Sequence, residues 1–482
     1  LQDAQSKLSE ARLASKVRTA EILERTLEFQ KHHDTVQKRL MIVTSSEIPE
    51  IATKKMKQPM EKLQKLELAH NYISILNDVE SLKDDARRYL PRNLKQALDA
   101  FAQLKKVTAS VQSSQESLEG ATLHLNTYLQ KTTDSLWADM KKRMCDNFEE
   151  ILNRTKWPKH DYAISDEWRE CFKGLLEFQS REVMTSQEPV ILLPLKVMAK
   201  SFVLNFQYHF SGDKPTNHSH RLGDYFLGWF LNTVANWKGF LTENVKPILA
   251  AHFKDSSMAD NPVYVDPVAA FISSLLPTLQ EKVTMLCEQL SSQPLYLCQF
   301  IVQLIDFDDS VRSRFNYYSS DHENGWDGIT TYALDSYFDS WFSAEKKLAL
   351  DRYRDIIQAK GSGEIDYDSS SIGKTKSTFG ATQITDMMTN LILTYNRLRK
   401  FSHKIKFLTG IQAEILDLYL GRLNDALEYY QAANSAVGRT IHGVTREELE
   451  ELQGVRGLEK LCRVYVSSDH LVSTLKDWMN ED

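Results

Sequence analysis

Glycine and proline are in short supply, with 18 and 12 among 482 residues, while Leu, Lys, Glu, Gln and Ala dominate. Both facts favour helix over sheet, because the common residues are strong helix formers and strand turns consume Gly and Pro. The five cysteines, Cys145, Cys171, Cys287, Cys298 and Cys462, are odd in number, scattered, and never spaced as C-x-x-C. That pattern argues against a disulfide framework and for a reduced, cytosolic chain. No apolar run approaches the roughly 20 residues that span a bilayer. The longest, Val190 to Leu195, holds six residues and contains Pro194. A signal-like start is missing as well. Neither sign of charge dominates: 26% of residues are charged and the net charge is −6. General nucleic-acid binding wants a basic surplus, so it finds no support here. The chain opens on Leu1 without an initiator Met and stops soon after Trp478 with no capping signal, which reads as a piece of a longer protein.

What is present is helical periodicity. Residues 1–40 contain no Pro or Gly, and Leu13, Val17, Ala20 and Leu27 recur at three, four and seven among charged neighbours, a coiled-coil-like seam. Thr44 to Pro49 is a break. A second polar helix is expected from about Met60 to Tyr89 through Leu63, Leu66, Ile73, Leu76, Leu82 and Ala86, ended by Pro91. Residues 1–91 therefore predict an antiparallel hairpin arm on the order of 50–60 Å long. A bare two-helix hairpin buries little apolar surface, so the arm wants further helices, from this chain or another.

The length prior gives about three domains. Helical bundles are expected at 92–188, 189–260, 261–360 and 381–482, with Ser165 as an N-cap and a flexible loop at 361–380, rich in Gly, Ser and Asp. Strand pairs, fixed-period repeats and βαβ alternation are not seen. The fold class is all-α, an elongated rod of consecutive helical bundles with the N-terminal arm.

Residues 202–249 carry the densest aromatic pattern. Tyr225, Phe226, Trp229, Phe230, Trp237, Phe240 and Leu241 form a broad helical stripe, preceded by a polar knot from Ser211 to His220. Before the knot, Phe202, Phe206 and Phe210 fit a helix, although alternation through Leu204 and Tyr208 leaves a strand open. The stripe extends back to Leu195, too far for an ordinary strand, so helix is the reading.

Candidate chemistry is thin. Ile372-Gly373-Lys374-Thr375 is P-loop-like, but Asp368 stands where the first Gly belongs and no strand precedes it. Asp306-Phe307-Asp308-Asp309 is the cluster an enzyme reading would use to hold a metal. The blander reading is that it ends one helix and caps the next, near Ser310. His209, His218 and His220 have no Cys or carboxylate at ligand spacing. No Gly-x-Ser-x-Gly elbow or recognisable Cys context appears. Arg397, Arg399, Lys400, Lys404 and Lys406 make a basic helical face interleaved with Tyr395, Phe401 and Phe407. A solvated face is the default; a contact with a phospholipid head group or acidic partner segment is the sharper reading.

The run Phe206-Gln207-Tyr208-His209-Phe210-Ser211-Gly212, then Thr216-Asn217, resembles the signature of the Tip-type subunit of the Dsl (NRZ) tethering complex. Trp229, Trp237 and Pro247-Ile248-Leu249 occupy the places of that family's Trp-rich helix and Pro-Ile-Leu step. The family's usual Lys-Pro-Glu-Trp helix start is replaced here by Arg221-Leu222-Gly223-Asp224-Tyr225. Trp341-Phe342-Ser343-Ala344-Glu345 to Leu350 also looks family-like, so the resemblance covers roughly Pro189 to Trp478. It implies a non-enzymatic helical-rod tether, cytoplasmic and peripheral on the endoplasmic reticulum membrane. It further implies pairing through the N-terminal helices with a Dsl/zeste-white-type subunit, binding of an endoplasmic-reticulum SNARE, and capture of Golgi-derived COPI vesicles. No cofactor, nucleic acid or small-molecule substrate is implied, and any membrane association is indirect. The rival readings are another helical-rod tether or coiled-coil scaffold, exocyst-like or kinetochore-associated, and a helical enzyme built on Asp306–Asp309.

Overall fold

The computed structural model describes residues 2–480 apart from 45–47, 116–122, 160–163, 187–188, 213, 218–222, 259–260, 318–324, 368–374 and 436–451. Among the described residues the regular structure is helical, and the one extended pairing is an isolated bridge between Ile365 and Thr378. The all-α reading holds. The chain divides into two compact units, Leu1–Met140 and Lys141–Asp482.

In the first unit, α1 (Gln2–Thr44) and α2 (Ile48–Tyr89) lead into α3 (Leu94–Gln115) and the start of α4 (Leu123–Arg154). Its core is assembled from Val79, Ala86 and Leu90 of the α2 end, Ala97 and Leu104 of α3, and Leu129, Leu136 and Met140 of α4. Phe101 meets Trp137 at a ring distance of 4.9 Å, and the buried Thr108 and Thr133 hydroxyls bond to each other at 3.2 Å. Before that core the picture changes. Every described side chain of α1, and of α2 as far as Ser74, is exposed. α2 also starts well before the expected Met60 and carries Pro59 in its interior.

The second unit shows how a chain poor in proline uses it. Pro194, Pro247, Pro262, Pro267 and Pro294 all stand in the first turn of a helix, where the missing N–H is no loss. These helices are α6 (Leu193–Phe210), α8 (Lys246–Phe253), α9 (Pro262–Val265), α10 (Pro267–Leu290) and α11 (Pro294–Phe315). Ser165 caps α5 (Asp166–Thr185) as expected, its Oγ accepting the Trp168 N–H at 3.2 Å. The strand option at 202–210 falls away, since α6 buries Leu195, Met198, Phe202, Phe206 and Phe210 along one helical side.

Aromatic contacts tie these helices together. Trp157 lies 4.6 Å from Trp237 and 5.1 Å from Phe240 of α7 (Asp224–Phe240), and its indole N–H donates to the Met198 carbonyl at 3.0 Å. A π turn, Leu241–Val245, joins α7 to α8. A second, Leu408–Gln412, joins α14 (Phe401–Phe407) to α15 (Ala413–Asn434). Trp341 of α12 (Gly328–Gln358) is fully buried, 4.9 Å from Phe407, with its N–H donating to Glu345 Oε1 at 3.1 Å. Burial raises the Glu345 carboxyl above the usual range. The last elements are α13 (Phe379–Asn396) and α16 (Gly454–Asn480), the latter packed on α13 and α15. The expected loop at 361–380 has paired stems: Asp366 N–H donates to Ser377 O at 2.9 Å and Phe379 N–H to Glu364 O at 3.0 Å.

Trp341→Ala should destabilise the chain by about 3–5 kcal/mol through the cavity it leaves and the orphaned Glu345. Urea unfolding followed by circular dichroism measures this; a loss under about 1 kcal/mol would contradict the packing described.

Candidate partner-binding surfaces

The aromatic signature builds a turn rather than a pocket. Phe206 and Phe210 are buried against Trp229, at 5.3 and 6.3 Å. As α6 runs out, its last carbonyls need donors. Thr216 Oγ1 donates to the His209 carbonyl at 2.6 Å, and Asn217 Nδ2 donates to the Gly212 carbonyl at 2.7 Å. Asn217 Oδ1 in turn accepts from Lys282 Nζ of α10 at 2.6 Å. Burial pushes the Lys282 ammonium below its ordinary pKa. The signature residues are therefore brought together by helix termination, and Tyr208 is the aromatic member left exposed, with Lys214 over its ring at 4.6 Å. His218 and His220 lie outside the described residues, as does most of the P-loop-like segment at 372–375. Among the described residues no group of three or more His, Cys, Asp or Glu is placed to hold a metal ion.

The Asp306–Asp309 expectation needs correcting. The residues do not end a helix: α11 continues through them to Phe315. Asp308 instead falls in register with Leu304, Val311 and Phe315 on the buried side of α11, and it caps a different helix. Its Oδ1 accepts the Ile329 N–H and its Oδ2 the Thr330 N–H, both at 2.9 Å, at the start of α12. Asp327, the residue at the N-cap position itself, makes no side-chain cap bond. Burial pushes the Asp308 carboxyl up to about 6 despite those two bonds and the Arg312 charge nearby. Gly328 fits because its φ is +94° and a Cβ there would stand 2.2 Å from Asp308 Oδ2.

The flanking carboxylates are taken as well. Arg397 bridges Asp306 at 2.6 Å and Asp309 at 2.7 Å. The basic face is thereby recast. Arg397–Lys400 do not lie on a helix; α13 stops at Asn396 and α14 starts at Phe401. Lys400 pairs with Asp335, Lys406 with Asp339 at 3.3 Å, and Lys404 Nζ donates to the Asn396 carbonyl at 2.8 Å. An anionic ligand would have to compete with those partners, so Arg397, Lys400 and Lys406 stitch α11 and α12 to the α13–α14 junction.

The N-terminal seam differs in kind. Leu13, Val17 and Leu27 of α1 and Leu63, Leu66 and Ile73 of α2 are all exposed, as is Ala20. Isolated exposed leucines are ordinary, but here they recur for tens of residues along α1 and the first part of α2, where no described side chain is buried.

The family model described as the RINT-1/TIP-1 family matches residues 193–482, more than half of the chain. The chain belongs to that family. The match agrees with the resemblance of its aromatic signature. A solved structure, of the SNARE Sec20 bound to the Dsl1 complex subunit Tip20, is similar at TM-score 0.47 and 15% identity, over 84% of this chain and 61% of that one. The RINT-1/TIP-1 match begins at Leu193, the first residue of α6, and takes in the signature turn, Asp308 and Trp341. Residues 1–192, including α1 and α2, lie outside it. No helix among the described residues is long and apolar enough to cross a membrane.

Two outcomes follow for the signature region and the α12 cap. Asn217→Ala should cost about 1–3 kcal/mol by stranding Lys282 and the Gly212 carbonyl, read as a lower urea midpoint; an unchanged midpoint contradicts the turn described. For Asp308, the unfolded carboxyl has an ordinary pKa of 3.8 and the folded one about 6. The folded state then binds the proton more tightly, so this residue's contribution to stability is full below pH 4 and is lost as pH rises through 6. Relative to Asp308→Asn, wild type should lose up to about 3 kcal/mol between pH 4 and pH 7; a difference that does not change with pH would refute the assignment.

Proposed function

We propose that this chain is a non-enzymatic subunit of a multisubunit tether at the endoplasmic reticulum. It captures Golgi-derived COPI vesicles and promotes SNARE assembly through protein–protein contacts. It pairs through α1 and α2 with a Dsl/zeste-white-type subunit, and it also engages an endoplasmic-reticulum SNARE. It sits on the cytoplasmic side of the membrane, held there indirectly through these partners.

The observation that carries the reading is the exposed apolar run on α1 and α2, from Leu8 to Ile73. Helices of this length draw most of their stability from packing an apolar face, and a helix-on-helix partner is the physical match for such a face. Family membership supports the tethering role, and the capped, ion-paired state of Asp306, Asp308 and Asp309 removes the feature on which an enzyme reading leaned.

A binding measurement between the purified chain and the Dsl/zeste-white-type subunit tests this. Leu13→Ser with Val17→Ser and Leu27→Ser should weaken binding at least tenfold while circular dichroism is retained. The cytosolic domain of the SNARE should still bind the variant. Full-strength pairing of the triple variant with the subunit would sink the proposal.

A further inference from the structure

The seam of Leu13, Val17, Ala20 and Leu27 is not the only apolar face of α1. Leu8, Ile22, Phe29, Val36 and Leu40 are also exposed, Phe29 at 72%. Ile22, Phe29 and Val36 are spaced by seven, as are Leu13, Ala20 and Leu27. At about 100° per residue the two sets lie about half a turn apart. The first spans residues 13–27 and the second, from Leu8 to Leu40, overlaps it on the opposite side of the same helix. A single neighbouring helix covers a stripe, not both sides of a cylinder. α2 does not supply the missing cover: it leaves its own Met56, Met60, Leu63 and Leu66 in solvent, and Pro59 interrupts the hydrogen-bond ladder in that stretch.

The second face has a charge label. Arg18 and Arg25, again seven apart, lie within about a sixth of a turn of Ile22 and Phe29. In helix pairs, residues beside the apolar seam choose the partner by charge. We propose that the Leu8–Ile22–Phe29–Val36–Leu40 face of α1 docks a second amphipathic helix of the partner subunit, one with acidic residues along the edge that meets Arg18 and Arg25. α1 is then the inner member of a bundle, with partner helices on both sides. This rests on the reading of α1 as the partner-binding arm and adds to it a second, separately mutable surface.

The experiment uses the full chain and the purified Dsl/zeste-white-type subunit, with dissociation constants measured at low and physiological salt. Three variants are compared: Leu13→Ser/Leu27→Ser on the first face, Ile22→Ser/Phe29→Ser on the second, and Arg18→Glu/Arg25→Glu on its edge. All six positions are exposed, and circular dichroism verifies that the helix persists. Both apolar variants should weaken binding at least tenfold, and the charge variant should weaken it and flatten its salt dependence. Wild-type affinity of Ile22→Ser/Phe29→Ser, with Leu13→Ser/Leu27→Ser impaired, overturns the second face and leaves the arm reading intact. Unimpaired binding by all three overturns both. A homodimer seen by analytical ultracentrifugation and dissolved by Ile22→Ser/Phe29→Ser, with subunit binding unchanged, assigns the face to a second copy and overturns the proposal.

Discussion

The carboxylate of Asp308 is a small group with wide reach. It is buried within α11, where a charge is expensive, and it is held by the Ile329 and Thr330 N–H groups in the first turn of α12. Those donors would otherwise be orphaned at a buried helix start. Because the cap comes from a neighbouring helix and not from the residue before α12, forming it requires α11 and α12 to be docked. Arg397 then fastens the α13–α14 junction to the neighbouring Asp306 and Asp309. One short acidic run thus sets how three successive elements meet. Catalytic use of the same residues would require releasing them from the positions that hold the unit together.

The two ends of the chain solve the burial problem differently. In the second unit aromatic stripes face one another, and Trp157, Trp168 and Trp341 are enclosed. In α1 and the first part of α2 the apolar residues are spread around the helix and find no cover.

Much of this was legible from residue order. Ser165 as a cap and the helical reading of 195–210 followed from local rules that depend on neighbours a few residues away. The errors were long-range. Asp308 looked like a local cap because acidic residues often are; its true partners, Ile329 and Thr330, are some twenty residues downstream. The stripe Leu304, Asp308, Val311, Phe315 held the clue, since a carboxylate on an apolar face must be satisfied from outside its own helix. The basic cluster has the same long-range character: charges at 397–406 are adjacent in sequence, but the acidic partners of Arg397, Lys400 and Lys406 lie on α11 and α12. On α1, Ile22, Phe29 and Val36 repeat at seven on the side opposite Leu13, Ala20 and Leu27, a pattern readable from residue order alone.

The two π turns, Leu241–Val245 and Leu408–Gln412, carry a consequence for how this chain tolerates change. Each holds one residue more per turn than an α-helix, so the helix beyond it is rotated relative to the helix before. Ile248 and Leu249 beyond the first turn, and Ile415 beyond the second, face the core in the register that extra residue sets. Losing a single residue at either place would swing the following helix by about 100° and carry its apolar side into water. Length at these two points is therefore as strictly held as side-chain identity.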